Sequence, residues 1–304
     1  MSGPYDASVQ PDAHSAGARR EAPVERLARR LVRLGRRLTA GQRALPDYLI
    51  LGAQRAGTTS LYHYLTEHPA VLPAPVKEIH FFDHRFHRGV GWYRSHFPLL
   101  RWLRAEAARR GHRLVVGEAS PYYLFHPAVP ERVARVLPSA RLIVLLRNPI
   151  DRAYSHYQHE RRLGRETLSF EAAIEREAER LRGEEARLLR DPRYRSDAHR
   201  FHSYLARGRY AEQLERWFAH FPREQLLVIR SEDLAASPQS ELEAVRQFLD
   251  LPVVADWPPA SPTHHHRASY PPMPPELRAR LCDYFAPYNA HLAALCGRDF
   301  GWDR

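Results

Sequence analysis

Three features of the 304-residue sequence predict an α/β fold with a parallel central sheet flanked by helices. Short apolar runs at 48–51, 114–116, 142–146 and 226–229 each lead into a turn and then a helical pattern. That alternation places parallel strands in one sheet beneath helices. The first run stops at Gly52, a tight loop follows, and a helix begins near Thr58. Such a strand–loop–helix unit binds anions through unpaired backbone N–H groups and the partial positive charge of the helix start. Ligands of these sheets lie beyond the carboxyl ends of the strands, so the residues closing each run are the candidate site.

Residues 1 to about 20 are small, polar and unpatterned and read as a disordered tail. Residues 21–44 read as a basic amphipathic helix, with Leu27, Leu31, Leu34 and Leu38 on one stripe and Arg26, Arg29, Arg30, Arg33, Arg36 and Arg37 around the rest. It either lies on an anionic membrane surface or docks on the domain that follows or on a partner subunit. The main domain is assigned to 45–304. In its first loop, Gly52 and Gly57 admit a ligand close to the backbone, and Thr58, Thr59 and Ser60 add hydroxyl donors. The Gly52-x-x-x-x-Gly57 spacing is that of a nucleoside-triphosphate loop, but Thr58 stands where that motif needs Lys and the cation has moved to Arg55. A guanidinium fork with several hydroxyls suits one compact tetrahedral anion. The alternative is a ligand-free turn.

The segment 74–83 is too irregular for a core element and reads as a functional loop. Alternation puts Glu78 and His80 on one side and the apolar residues opposite. Glu78 beside an aromatic wall is then a general base, unless the loop carries only ordinary salt bridges. After the second run, Ser120, Tyr122 and Tyr123 fall where a nucleotide or acceptor would lie, or else the tyrosines simply pack. The third run closes on Arg147 and is followed by Asn148-Pro149, an N-cap and first-turn pair, with Ser155 two turns into the new helix. A strand-end Arg and a helix Ser form a clamp for a second phosphate.

Repeated Glu and Arg from Phe170 to Arg190 predict one long solvated helix. The Arg-, His- and Tyr-rich segment from Tyr194 to Tyr210 could cover an acceptor, and a helix with an apolar stripe spans Ala211 to Phe218. The segments 231–234 and 241–249 read as structural. Within the proline-rich stretch 252–275, adjacent His264, His265 and His266 do not converge on one ion in an extended chain, so no metal is assigned. That stretch reads as a basic flap over an anionic cofactor, with Arg267 its strongest donor. A final helix runs from Pro275 to about Leu295.

Lys and Arg number 46 against 35 Asp and Glu, a formal charge of +11, and nearly all the basicity is Arg. Arg suits bidentate recognition of sulfate, phosphate or carboxylate, although charge alone does not separate a nucleotide from a polyanionic glycan or nucleic acid. Only Cys282 and Cys296 occur, without metal-ligand spacing or a disulfide framework, so a soluble protein of the reducing cytoplasm is expected. No run approaches transmembrane length and the N-terminus lacks a signal-peptide core.

Five motifs occur in one order: the Gly-Ala-Gln-Arg-Ala-Gly-Thr-Thr loop at 52–59, Lys77-Glu-Ile-His-Phe-Phe-Asp83, Leu146-Arg-Asn-Pro-Ile-Asp-Arg-Ala-Tyr-Ser155, Arg207-Gly-Arg-Tyr210 and the Arg267 loop. From about Tyr48 to the C-terminus the chain resembles the sulfotransferases of the heparan sulfate glucosaminyl N- and 3-O- type. That resemblance implies a P-loop-like sulfotransferase fold and 3′-phosphoadenosine 5′-phosphosulfate (PAPS) as donor, without a metal. It implies that Gln54, Arg55, Ala56, Gly57, Thr58, Thr59 and Ser60 hold the 5′-phosphosulfate, that Arg147 and Ser155 hold the 3′-phosphate, and that Arg267 closes over the cofactor. Glu78 matches the catalytic base, with Arg55 and His80 acting beside it. His80 and Asp83 match positions near the acceptor, to which Ser120 and Tyr122 are added from their place in the chain.

This chain departs from the pattern at Arg55, where relatives usually carry Lys, and at Ala119, a Lys in the 3-O group; that group's late cysteine pair has no counterpart. The acceptor is therefore left as a carbohydrate-type or small molecule, not a nucleic acid, with O- and N-sulfation both open. The competing classes are a P-loop kinase, against which stand Thr58 and the missing strand-end aspartate, and a non-enzymatic polyanion-binding protein.

Overall fold

The computed structural model describes residues 23–255, 257 and 270–302. The tail at 1–20, the start of the basic segment at 21–22, the histidine run and Arg267 lie outside the described residues. In chain order the elements are α1 (Pro23–Leu38), β1 (Tyr48–Gly52), α2 (Thr58–Glu67), β2 (Val71–Leu72), α3 (Gly89–Arg94), α4 (Leu100–Arg110), β3 (Val115–Ala119), α5 (Val129–Val136), β4 (Arg141–Leu146) and α6 (Pro149–Arg162). They continue with α7 (Phe170–Glu175), α8 (Glu177–Leu181), α9 (Glu184–Arg190), α10 (Asp197–Phe201), α11 (Tyr210–Phe218), β5 (Leu226–Arg230), α12 (Ser231–Ala236), α13 (Pro238–Phe248) and α14 (Pro275–Cys296).

The strands form one five-stranded sheet in the order β2-β3-β1-β4-β5, and every pairing is parallel. All four expected strands are present, and the short edge strand β2 is an addition that two residues of sequence did not signal. Central strands of a parallel sheet are covered on both faces, which is why Tyr48 to Leu51 and Leu142 to Leu146 are continuous apolar runs with no exposed side chain. Tyr48 lies opposite Gly117 on β3, where a Cβ would come within 2.2 Å of its ring. The second strand also runs farther than expected and takes in Gly117, Glu118 and Ala119.

The stretch from Phe170 to Arg190 is not one solvated helix. It breaks into α7, α8 and α9, with Gly183 in the left-handed region (φ 78°) starting the third. Charge pattern alone hid the break, because Glu177 and Glu184 are buried: Glu177 accepts from the backbone N–H groups of Leu205 and Ala206, both at 2.7 Å. A second apolar core joins α6, α7 and α14 through Ile150, Tyr157, Phe170, Tyr204, Leu281 and Phe285. It seats the segment before α11 against the start of α6.

The basic helix α1 is present and ends at Leu38. It is fastened near its C-terminal end, where Arg36 Nε donates to the Ser95 carbonyl at 2.6 Å. Leu31, Leu34 and Leu38 are 60%, 53% and 80% exposed, so the domain does not cover that part of the apolar stripe.

Candidate active site

The loop after β1 is built as an anion cradle. Gly57 takes a left-handed conformation (φ 95°) as the N-cap of α2 and offers no capping side chain, leaving the first-turn N–H groups to a ligand. Ala53 N donates to the Leu145 carbonyl at 2.6 Å, so the loop begins as a continuation of the β1–β4 ladder. Arg55 is itself left-handed (φ 70°), a conformation that non-glycine residues hold only when their surroundings require it. Its Nε donates to Ser155 Oγ at 3.1 Å, and Arg147 Nη1 donates to the Arg55 carbonyl at 3.2 Å. Arg55 thus meets Arg147 and Ser155, 92 and 100 residues farther along the chain, at one end of the sheet. Tyr210 Oη fixes the Arg147 carbonyl at 2.8 Å, and Asn148 caps α6 by accepting from Ile150 N and Asp151 N. Burial lowers the Arg55 pKa, with Arg162 and Arg147 adding to the effect.

The 74–83 loop supplies the opposite charge. Glu78 Oε2 lies 3.0 Å from His80 Nε2, and His80 Nδ1 lies 2.6 Å from Asp83 Oδ2, a carboxylate–imidazole–carboxylate chain. Glu78 remains 28% exposed, whereas the Asp83 side chain is fully buried. Burial disfavours charge on all three, but their mutual pairing reverses it. His80 is held up at about 10 by Asp83 and Glu78. Burial pushes Glu78 up, yet the hydrogen bond and charge of His80, with Lys77, hold it below the usual carboxylate range. Asp83 is pulled lower still by His80.

Lys77 joins the two halves. Its ammonium donates to Thr59 Oγ1 at 3.0 Å on the anion loop and lies 4.0 Å from Glu78 Oε1. Sequence reading missed it, although its place immediately before Glu78 was the available signal.

The loop is rigid because its apolar residues are sunk into an aromatic cluster. Phe81 stacks on Tyr93 with ring centroids 4.4 Å apart, and Phe82 meets Tyr93 and Tyr123 edge-on. Arg132 Nη1 donates to the carbonyls of Phe82 at 2.6 Å and Asp83 at 3.2 Å, while Tyr123 Oη receives the N–H of Phe81 at 2.8 Å. Underneath sits Glu118, a second residue the sequence did not flag as part of the site. It accepts from Tyr93 Oη (2.6 Å), Tyr123 Oη (3.1 Å) and Ser120 Oγ (3.1 Å). Burial raises its pKa to about 7 against those three hydrogen bonds.

Ser120 and Tyr122, assigned to an acceptor, are placed behind this wall. Ser120 is fully buried and its hydroxyl receives the His80 N–H at 3.3 Å; Tyr122 is 4% exposed and bonded to His199 Nδ1 at 2.8 Å. Both follow β3 directly, and both hydroxyls have hydrogen-bond partners within the protein. His80, Asp83 and His84 bring three ligand-type atoms within 4.8 Å of one another, of which the His80 and Asp83 atoms pair with each other.

A family profile described as "Sulfotransferase domain" matches residues 45–266. The chain is 28% identical to the membrane-associated sulfotransferase kil1 of Dictyostelium discoideum over 85% of its own length and 66% of that protein's. It is 30% identical to mouse heparan sulfate glucosamine 3-O-sulfotransferase 3B1 over 87% of its own length and 66% of the relative's. With human bifunctional heparan sulfate N-deacetylase/N-sulfotransferase 3 the identity is 29%, over 83% of this chain but 30% of that one. The chain thus spans just under two thirds of the first two relatives and less than a third of the other. A solved sulfotransferase from Alicyclobacillus acidocaldarius shares 35% identity at a TM-score of 0.62, with 86% of this chain and 100% of that one covered.

Glu118 has a consequence for stability. An unfolded Glu titrates near ~4.3, so a folded value of about 7 means that the native state binds the proton more tightly. Its contribution is fully present below the unfolded value and is lost as pH rises toward 7. Glu118→Gln removes that titration, and the melting temperature of the variant relative to the parent is expected to rise between pH 5 and pH 8. A difference that stays constant or falls would show that Glu118 is already ionised at low pH.

Proposed function

Since the chain belongs to the Sulfotransferase domain family, we propose that it is a sulfotransferase that moves the sulfuryl group of PAPS to a hydroxyl or amine of a carbohydrate-type or small-molecule acceptor. The observation that carries this reading is the Lys77 bridge. One ammonium touches both the anion loop and the carboxylate of Glu78, so donor and base share a single focus. The α2 amides and Arg55 suit the 5′-phosphosulfate, and Arg147 with Ser155 suits the 3′-phosphate. Residues 45–304 are the proposed catalytic domain, with Arg267 assigned to the cover of the donor.

In the proposed reaction the acceptor proton passes to Glu78 as the acceptor atom attacks sulfur in line. The bond between sulfur and the bridging phosphate oxygen breaks, releasing adenosine 3′,5′-bisphosphate. Arg55, Lys77 and the loop amides stabilise the charge that develops on the leaving phosphate. His80, held cationic between two carboxylates, keeps Glu78 ionised at neutral pH and orients it. Asp83 fixes the imidazole in turn. The chemistry asks nothing of a metal.

Glycan acceptors are favoured because two of the relatives are named for heparan sulfate, while Ala119 and the missing cysteine pair argue for an acceptor of a different kind. The two unpaired cysteines support a reducing cytoplasm. The uncovered leucines and arginines of α1 support a peripheral contact with an anionic membrane surface. Co-sedimentation with vesicles is expected when they contain anionic lipid, and to be lost in a Leu31→Glu/Leu34→Glu variant; equal binding to neutral vesicles would remove the electrostatic part.

Two experiments test the chemistry. Glu78→Gln is expected to lower kcat by a factor on the order of 10³, in the range of lost general-base catalysis, with calorimetric affinity for adenosine 3′,5′-bisphosphate retained. Arg147→Ala should weaken that affinity instead, and exchanged behaviour of the two variants refutes the assignment. His80→Asn removes the cation that holds Glu78 down, so burial then raises the Glu78 pKa. The acid limb of kcat/KM should move to higher pH; a limb that stays or moves lower means that another group is the base.

A further inference from the structure

Arg207 is a buried cation outside the site described so far. It lies in the turn between α10 and α11 and is 3% exposed. Among the described residues no carboxylate forms an ion pair with it, although burying a charge without a direct counter-ion is unfavourable. Its guanidinium is instead divided among three parts of the chain. Nε donates to Ser203 Oγ at 2.8 Å, and Nη2 donates to the carbonyls of His199 at 3.1 Å and Arg200 at 2.7 Å, all in the segment just before it. Nη1 donates to the side-chain carbonyl of Gln54 in the anion loop. The planar group also faces the rings of Tyr122 at 4.9 Å and Phe125 at 5.0 Å, in the stretch after β3.

We infer that Arg207 is a positioning residue that couples the loop after β1 to the segment 196–207 through the Gln54 carboxamide. The linkage is closed on itself. Tyr122, under the guanidinium, bonds through its hydroxyl to His199, whose carbonyl Arg207 holds. Gln213 Nε2 in turn fixes the Arg207 carbonyl at 3.1 Å. A shift of the segment 196–207 therefore pulls on Gln54, and a shift of the loop after β1 pulls on the His199 and Arg200 carbonyls. Only a planar fork reaches Ser203, two carbonyls and Gln54 together; a lysine in its place keeps the charge and loses that simultaneity. Burial is what most disfavours its charge; like-charged Arg152 and Arg200 add to that, and the Glu160 carboxylate offsets part of it. The position is thus an unfavourable one for a cation unless its geometry is needed.

The structural claim stands apart from the sulfotransfer reading, and only its kinetic arm rests on that reading. Backbone hydrogen exchange on the ligand-free protein tests the first. Gln54→Leu leaves the bonds of Arg207 to Ser203, His199 and Arg200 in place, yet exchange in 199–207 is expected to accelerate. Arg207→Lys should speed exchange at 53–57 by about tenfold, the equivalent of one lost hydrogen bond to a charged group. Unchanged exchange in the distant segment of a folded variant overturns the coupling, whether or not the chain transfers sulfuryl groups. In turnover with PAPS, Gln54→Leu and Arg207→Lys should each lower kcat/KM, and the double variant should lose little more than the worse single one. Losses that multiply would show two independent roles. Should Arg207→Lys fail to fold, the Gln54→Leu exchange result decides alone.

Discussion

The site depends on the placement of β1 between β3 and β4. With Tyr48 opposite Gly117 on one side and Arg141 on the other, three parallel strands release their carboxyl ends at one edge. The ladder does not stop where the strands do. Ala53 N bonds the Leu145 carbonyl, Ser120 N the Ile50 carbonyl at 3.2 Å, and Leu124 N the Leu51 carbonyl at 2.8 Å. Backbone hydrogen bonds thereby carry the order of the sheet into the loops. Arg55, Ser120 and Arg147 inherit positions set by the main chain, and pre-organisation of that kind lets fixed charges act without reorganisation.

Two electrostatic regimes meet at that edge. The donor side gathers Arg55, Arg147, Arg152 and Arg207, and burial lowers the pKa of Arg55, Arg152 and Arg207. A dianionic or trianionic ligand is the natural counterpart of such a cluster, because a low-dielectric site amplifies whatever charge it is given. The 74–83 loop does the opposite: cationic His80 lies between the carboxylates of Glu78 and Asp83, so its charges are largely paired within the loop. Lys77 stands at the seam, within 3.0 Å of the donor loop hydroxyl and 4.0 Å of the carboxylate. In the proposed reaction, Lys77 is the cation common to the proton-accepting carboxylate and the loop that takes the donor.

Legibility followed the range of the interactions. The anion loop, the Asn148 cap and the strands were readable because each is a local pattern: a glycine spacing, an N-cap beside proline, a run of apolar residues. Glu78 and His80 do share a side as expected, but not through strand alternation: His80 is left-handed (φ 54°) and the adjacent Phe81 and Phe82 are both buried. The roles of Glu118 and Arg207 were not readable, although Arg207 stands in one of the five motifs. A carboxylate within a strand and an arginine in a turn have no sequence signature of burial, and their partners lie elsewhere in the chain. The single helix expected over 170–190 failed for the same reason, because Glu177 and Glu184 look like solvated charges until their buried partners are known.

By itself the sequence determined the strand–loop–helix units, the glycine spacing and hydroxyl-rich helix start of the first loop, and Glu78, Arg147 and Ser155 as candidate groups, because each is a matter of residue type and short spacing. Only the tertiary structure decided that Arg55 reaches Ser155, that Lys77 spans both halves, that Ser120 and Tyr122 stand behind the wall, and that an unpaired Arg207 grips Gln54. Those facts come from sheet order and burial, which arise from contacts between segments far apart in sequence and have no local code.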